Sequence, residues 1–218
     1  MDEIIRNIAV YALPLIFAIT LHEAAHGYVA KYFGDMTAYS QGRVSLNPVV
    51  HIDPMGTIVI PALLYMLGSP FLFGYAKPVP VNFGNLHKPK QQMAWVALAG
   101  PAANLVMAFL WMIFIIILHV FKIDAEFFLK MAQAGVSVNS MLFAFNLFPI
   151  PPLDGGRILV SLLPHKYAFK VAQIEPYGFF IVLALAYLQA LRFWMVPMMM
   201  LVNYFLGLLI YPFTFLLS

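Results

Sequence analysis

Long runs of this chain carry no formal charge, and those runs predict its architecture. Residues 8–21, 54–76, 91–121, 131–153, 176–191 and 193–218 contain no Asp, Glu, Lys or Arg. A helix that crosses the hydrocarbon core needs about 20 mostly apolar residues. The pattern therefore predicts an all-α polytopic membrane protein with about five to six transmembrane segments. Between them, residues 41–57 and 75–89 read differently. Gly42, Pro48, Pro54 and Gly56 interrupt the first stretch, and the second contains Lys77-Pro78-Val79-Pro80-Val81-Asn82. Proline at every second position suits extended or edge-strand backbone and not helix. Such backbone at membrane depth must be covered by protein or line a wet cavity. These pieces are expected to form short, β-like, membrane-associated loops that shield or shape a site. The longest polar-leaning stretch, residues 31–53, is too short for a core of its own. The expected organisation is one integral-membrane domain over 1–218, with a catalytic core at about 8–160 and C-terminal helices at about 174–217.

Composition strengthens this picture. The chain is 63% hydrophobic and only 10% charged, against roughly 25% charged residues in soluble domains. It has no cysteine, which excludes disulfides, thiolate zinc sites and cysteine nucleophiles. The net charge of +3 is small and dispersed, so nucleic acid is not an expected partner. The N-terminus does not read as a signal peptide. It opens on Asp2 and Glu3, and the first apolar run leads straight into a histidine motif.

That motif is His22-Glu23-Ala24-Ala25-His26, an HExxH pattern. On a helix, residues four apart share a face, so both imidazoles can reach one ion. Zinc suits neutral imidazole and takes a third protein ligand plus an open position for water. Glu23 can take the proton from that water. Ionisable groups at membrane depth are costly and mark function. The third ligand has several candidates: Asp53, Asp154, His51, His87 and His165. Asp154 is the best of them. It follows Asn146-Leu147-Phe148-Pro149-Ile150-Pro151-Pro152-Leu153 and precedes Gly155 and Gly156. The prolines should break the preceding helix, and the glycines permit a tight turn and a close approach.

These motifs, with Ala99-Gly100-Pro101-Ala102-Ala103-Asn104 between them, resemble the site-2 protease family, whose members are intramembrane zinc proteases. The resemblance covers roughly residues 8–160. It implies zinc as cofactor, His22, His26 and Asp154 as its ligands, and Glu23 as general base. It implies for Asn146 a place near the substrate or transition state. An amide N–H there can stabilise an oxyanion, while an interhelical hydrogen bond is the alternative use. Asn104 reads as helix-contact glue. The inserted peptide-binding domain and appended nucleotide-sensing domain of some members have no room, so the chain resembles a minimal version.

The metal site also constrains topology. If all six runs cross, the ends of the first and fourth lie on opposite faces, and one zinc cannot reach both. If residues 54–76 dip in and return, aided by Pro61, Gly68, Ser69 and Pro70, the two motifs share a face. One side then carries Lys31, Arg43, Lys77, Lys88, Lys90, Arg157, Lys166 and Lys170, and the other Arg6, Lys122, Lys130 and Arg192. The positive-inside rule makes the first side cytoplasmic. The expectation is five full spans, one re-entrant segment and an active site toward the cytoplasm. The implied activity is an intramembrane zinc metalloendopeptidase. Its partners are the bilayer and a transmembrane segment of a membrane-anchored protein. The rival reading is a non-proteolytic metal-binding transporter or scaffold, which has no need of Glu23.

Overall fold

The first apolar run and the histidine motif belong to one uninterrupted helix. This is seen in a computed structural model, which describes residues 2–66 and 74–217. Helix α1 spans Asp2–Tyr32. In an apolar medium its backbone groups can pair only within the segment, which favours continuous helix. Its end is set by Gly34, at φ 106°. Gly34 N–H donates to Lys31 O and Asp35 N–H to Ala30 O, the paired closure that needs a left-handed residue between. This closure delivers Asp35 to a buried position. A short turn of helix, α2 (Thr37–Ser40), follows.

A 3₁₀ turn, Pro48–His51, and a π-helical turn, Pro54–Val59, lead into α3 (Ile60–Met66). Residues 67–73, which carry Gly68, Ser69 and Pro70 of the expected dip, lie outside the described residues. On either side of them the chain comes back to where it left. Tyr75 N–H donates to Gly56 O at 3.0 Å, and Lys77 N–H to His51 O at 2.9 Å. Residues 74–82 are not helical, as the alternating prolines require. They form no strand either, and no β-strand occurs among the described residues.

Two long helices complete the central bundle: α4 (Pro89–Val120) and α5 (Glu126–Asn146). His26 meets Val96 and His22 meets Asn104, so α4 runs antiparallel to α1. Asn104 meets Asn139 on α5, and Arg6 of α1 pairs with Glu126 at 2.7 Å. α5 therefore runs parallel to α1. It stops at Asn146, just ahead of Pro149, Pro151 and Pro152. The chain turns over residues 147–153 and starts α6 (Asp154–Leu162). A Cβ on Gly155 would lie 2.1 Å from Leu147 O, and one on Gly156 would lie 2.1 Å from Pro151 N. Only glycine lets α6 begin against its own incoming loop.

Helices α7 (His165–Ala172), α8 (Glu175–Tyr187) and α9 (Arg192–Ile210) follow. Trp194 Nε1–H donates to Ala144 O at 2.8 Å, which ties α9 to α5. Val202 and Leu206 pack on Ala108 of α4. Among the described residues, three helical segments are long and apolar enough to cross a membrane: Ile8–Tyr32, Pro89–Val120 and Arg192–Phe213. A fourth arises if α7 and α8, bent by 65°, act as one span. The charge-free run at 131–153 contributes α5, but α5 carries Gln133, Ser137, Asn139 and Ser140. It sits against α1, α4 and α9, where Asn139 finds partners in Asn104 and Gly135 O.

Candidate metal centre

Four-residue spacing puts His22 and His26 on the face of α1 that meets α4. Both rings have room only because position 100 is glycine. A Cβ there would lie 2.4 Å from His26 Nε2 and 2.6 Å from His22 Nε2. Each ring is fixed from behind by an acceptor on α4. His26 Nδ1 reaches Val96 O at 2.7 Å, and His22 Nδ1 reaches Asn104 Oδ1 at 2.6 Å. A carbonyl oxygen only accepts, so both Nδ1 atoms carry the proton. Both Nε2 atoms then present lone pairs, and they face each other at 3.1 Å.

The break after α5 brings a carboxylate to the same point. Asp154 Oδ2 lies 3.2 Å from His22 Nε2 and 3.4 Å from His26 Nε2. It is a buried oxygen with no hydrogen-bond donor. Three electron-rich atoms thus converge with no proton between them, which is unfavourable unless a cation joins them. Nitrogen and oxygen ligands about 2.0–2.1 Å from a tetrahedral zinc sit roughly 3.3 Å apart. The three observed separations bracket that value. Among the described residues, His22, His26 and Asp154 are the group whose ligand atoms all lie within 4.8 Å of one another.

Of the other candidate ligands, three are used elsewhere, and His165 is exposed at the start of α7. Asp53 accepts from Gly56 N–H at 2.8 Å and caps the π-helical turn. His51 is a buried loop histidine whose Nε2 bonds Ser45 O. The ring of His87 covers Gly34, where a Cβ would lie 2.7 Å away.

Glu23 and Asn146 line the same cleft as the three convergent residues. The cleft has a volume of about 130 Å³. Its opposite wall is the proline-rich segment, through Pro78, Val79, Val81 and Phe83. Val79 N–H donates to Glu23 Oε2 at 2.7 Å. Arg43 holds that segment by donating from Nη2 to Lys77 O at 2.9 Å and Pro78 O at 3.2 Å. Asp35 holds its far end, accepting from Asn82 N–H at 2.7 Å. Asn146 donates from Nδ2 to Leu142 O, one turn back on its own helix, at 3.0 Å. Its second N–H is available to the cleft. Arg157 sits three residues after Asp154 and pairs with Glu175 at 3.2 Å.

Asn104 does more than glue helices, because it is the hydrogen-bond partner of a convergent histidine. Its sequence signal was its place one turn after Gly100. Asn139 has no motif around it; its signal was a carboxamide two turns before Asn146, within a charge-free run.

Comparison with known proteins places the chain. Residues 117–188 match the model of "Peptidase family M50", a stretch that holds both Asn146 and Asp154. Over 178 residues the chain is 42% identical to "Putative zinc metalloprotease YwhC" of Bacillus subtilis, covering 79% of this chain and 78% of that one. The chain belongs to peptidase family M50, the site-2 proteases. It is 31% identical over 185 residues to "Putative zinc metalloprotease Rip2" of Mycolicibacterium smegmatis, covering 82% of this chain and 67% of that one. A more distant relative, "Zinc metalloprotease MJ0392" of Methanocaldococcus jannaschii, is 26% identical over 161 residues, 74% of this chain but only 36% of that one. No solved structure matches. Family membership makes the chain a zinc metalloprotease, and its long apolar helices suit a membrane protein.

Proposed function

We propose that this chain is an intramembrane zinc metalloendopeptidase that hydrolyses peptide bonds in or near transmembrane segments of membrane-anchored proteins. In this reading His22, His26 and Asp154 hold the zinc, Glu23 is the general base, and Asn146 assists at the transition state. The observation that carries it is the convergence of two Nε2 lone pairs and a donor-free carboxylate oxygen beside Glu23 in one cleft. Zinc bound there would supply Lewis acidity toward the scissile carbonyl and toward water. Glu23 takes a proton from the attacking water and passes it to the leaving amine. The Val79 N–H on Oε2 leaves Oε1 as the oxygen free for that transfer. The free N–H of Asn146 can donate to the oxyanion that develops on the scissile carbonyl.

An intact carboxylate in the cleft argues against the transporter or scaffold reading, which has no proton to move. The test is zinc-dependent cleavage of a panel of transmembrane peptides by purified protein. Glu23→Gln should keep stoichiometric zinc and lose cleavage. Substantial cleavage by that variant rules out Glu23 as base.

For topology, we propose five full spans with residues 54–76 re-entrant, the cleft toward the cytoplasm and the N-terminus outside. The bonds from Tyr75 to Gly56 and from Lys77 to His51 support a chain that leaves and returns at one level. Reporter fusions after residue 76 and after residue 124 should face opposite sides. A cytoplasmic signal from both would sink this arrangement.

A further inference from the structure

Behind His22 runs a line of hydrogen bonds whose direction is set by two carbonyls, Gly135 O through Asn139 and Ala18 O directly. Gly135 O can only accept, and Asn139 Nδ2 donates to it at 2.8 Å. That turns Asn139 Oδ1 toward α4, where Asn104 Nδ2 donates to it at 3.0 Å. The same Nδ2 donates to Ala18 O on α1 at 3.1 Å. With its amino group committed on that side, Asn104 presents Oδ1 to His22 Nδ1. Turned over, Asn104 would offer N–H to His22 Nδ1. His22 would then carry its proton on Nε2, where it cannot ligate.

We propose that Asn139 is a positioning residue for the metal site: together with Ala18 O it holds the Asn104 carboxamide in one orientation, and so favours the His22 tautomer that presents Nε2 to zinc. The inference rests on the reading of His22 as a ligand. Neither Asn139 nor Asn104 has any exposed surface. A buried carboxamide is costly unless its donors and acceptor are met. In this line each bond made also dictates the next. Outer partners of ligating histidines are known to tune metal affinity in this way. Asn139 lies one partner further out and touches neither the ring nor the zinc.

The test measures zinc affinity of the full-length protein in detergent by chelator competition, with Co²⁺ absorption spectra as a second readout. Asn139→Leu keeps the approximate shape of the side chain and should weaken zinc about 10-fold, the low end for an outer partner. It should also alter the Co²⁺ ligand-field bands. Asn139→Ala, which adds no bulk, should do the same. The deciding comparison uses Asn104→Asp, whose two oxygens both accept and so need no orienting. In that background Asn139→Leu should cost no zinc affinity. Equal loss in both backgrounds would make Asn139 a packing residue and overturn the proposal, as would unchanged affinity beside native Asn104. If His22→Ala binds zinc as tightly as the native chain, the ligand reading itself fails, and the proposal with it.

Discussion

The two walls of the cleft hold their groups by different means. On the helical wall, from α1, α4, α5 and α6, the ligand geometry depends on particular side chains or on the absence of one, with the Val96 carbonyl as a main-chain support behind His26. His22 depends on Asn104, and both histidine rings depend on the hydrogen at Gly100. On the extended wall, residues 77–82, the contacts are made by main chain. Val79 N–H meets Glu23, the carbonyls of Lys77 and Pro78 meet Arg43, and Asn82 N–H meets Asp35. The difference teaches what each wall can tolerate. The helical wall should fail at single identities. The extended wall should tolerate changes along itself and fail at its anchors, because a main-chain donor survives any substitution except proline.

The largest expected effect lies on the helical wall. Gly100→Ala introduces a Cβ 2.4 Å from His26 Nε2 and 2.6 Å from His22 Nε2, so the rings must shift from their positions. Alanine favours helix over glycine, so α4 should remain formed while the ligand geometry is lost. Zinc content after dialysis should fall below stoichiometric, with cleavage abolished. An active, zinc-loaded Gly100→Ala protein would break the claim that this wall is identity-specific.

The next effect belongs to the extended wall and separates chemistry from metal binding. Val79→Pro removes one N–H together with part of a buried side chain, in a segment where Pro78 and Pro80 already suit extended backbone, and Val79→Ala is the control for the side chain. A hydrogen bond to a charged group contributes about 1.5–3 kcal/mol, so the turnover number should drop roughly 10- to 100-fold. Zinc content should be unchanged. Loss of zinc in this variant would mean that the walls are not separable. Arg43→Leu acts at one remove, because it frees the carbonyls of Lys77 and Pro78 and not the amide itself. A fall in turnover of about 10-fold is expected, again with zinc retained, and Arg43→Lys should recover part of it, because its ammonium donates but lacks the rigid planar geometry of the guanidinium.

How much of this could be read in advance follows the same division. The HExxH spacing fixes which face of α1 carries the histidines, and the prolines before Asp154 predict the break that brings the carboxylate in. Both signals are local, because they need only the helical period and the geometry of proline. Asn104 beside His22 and Asn139 beside Asn104 are different. They depend on the axial register of α4 against α1 and of α5 against α4, and a single sequence does not encode register between helices in any local pattern. Arg43 and Asp35 were hidden for a related reason. Each sits in an irregular stretch, and the carbonyls and amide by which it holds residues 77–82 lie more than 30 positions away. The charge-free runs were informative about apolarity but less so about length. The run at 176–191 became the 13-residue α8 plus a turn.

The smallest effect is an expected constancy, and it tests the anchor of the extended wall. Asp35 lies beyond the end of the first span, buried beneath the turn that closes α1. Burial alone would raise its pKa. The hydroxyl and N–H of Thr37, the N–H of Asn82 and the amide of Asn85 outweigh this and hold it below the ordinary 3.8. A carboxyl depressed in the folded state stabilises that state fully above its unfolded value and loses the contribution as pH falls through the folded value. The anchor should therefore be complete from pH 8 down to about pH 5 and should weaken only below the usual carboxylate range. Hydrogen-exchange protection of the Asn82 amide, corrected for intrinsic rates, should be flat across that interval. Asp35→Asn should lower it at every pH, because a carboxamide oxygen accepts more weakly than a carboxylate and one of the two accepting oxygens is replaced by an NH₂ donor facing N–H groups. A native profile that decays between pH 7 and 5 would place the anchoring charge on some group other than Asp35, and the account of the extended wall as fixed at Arg43 and Asp35 would lose one of its ends.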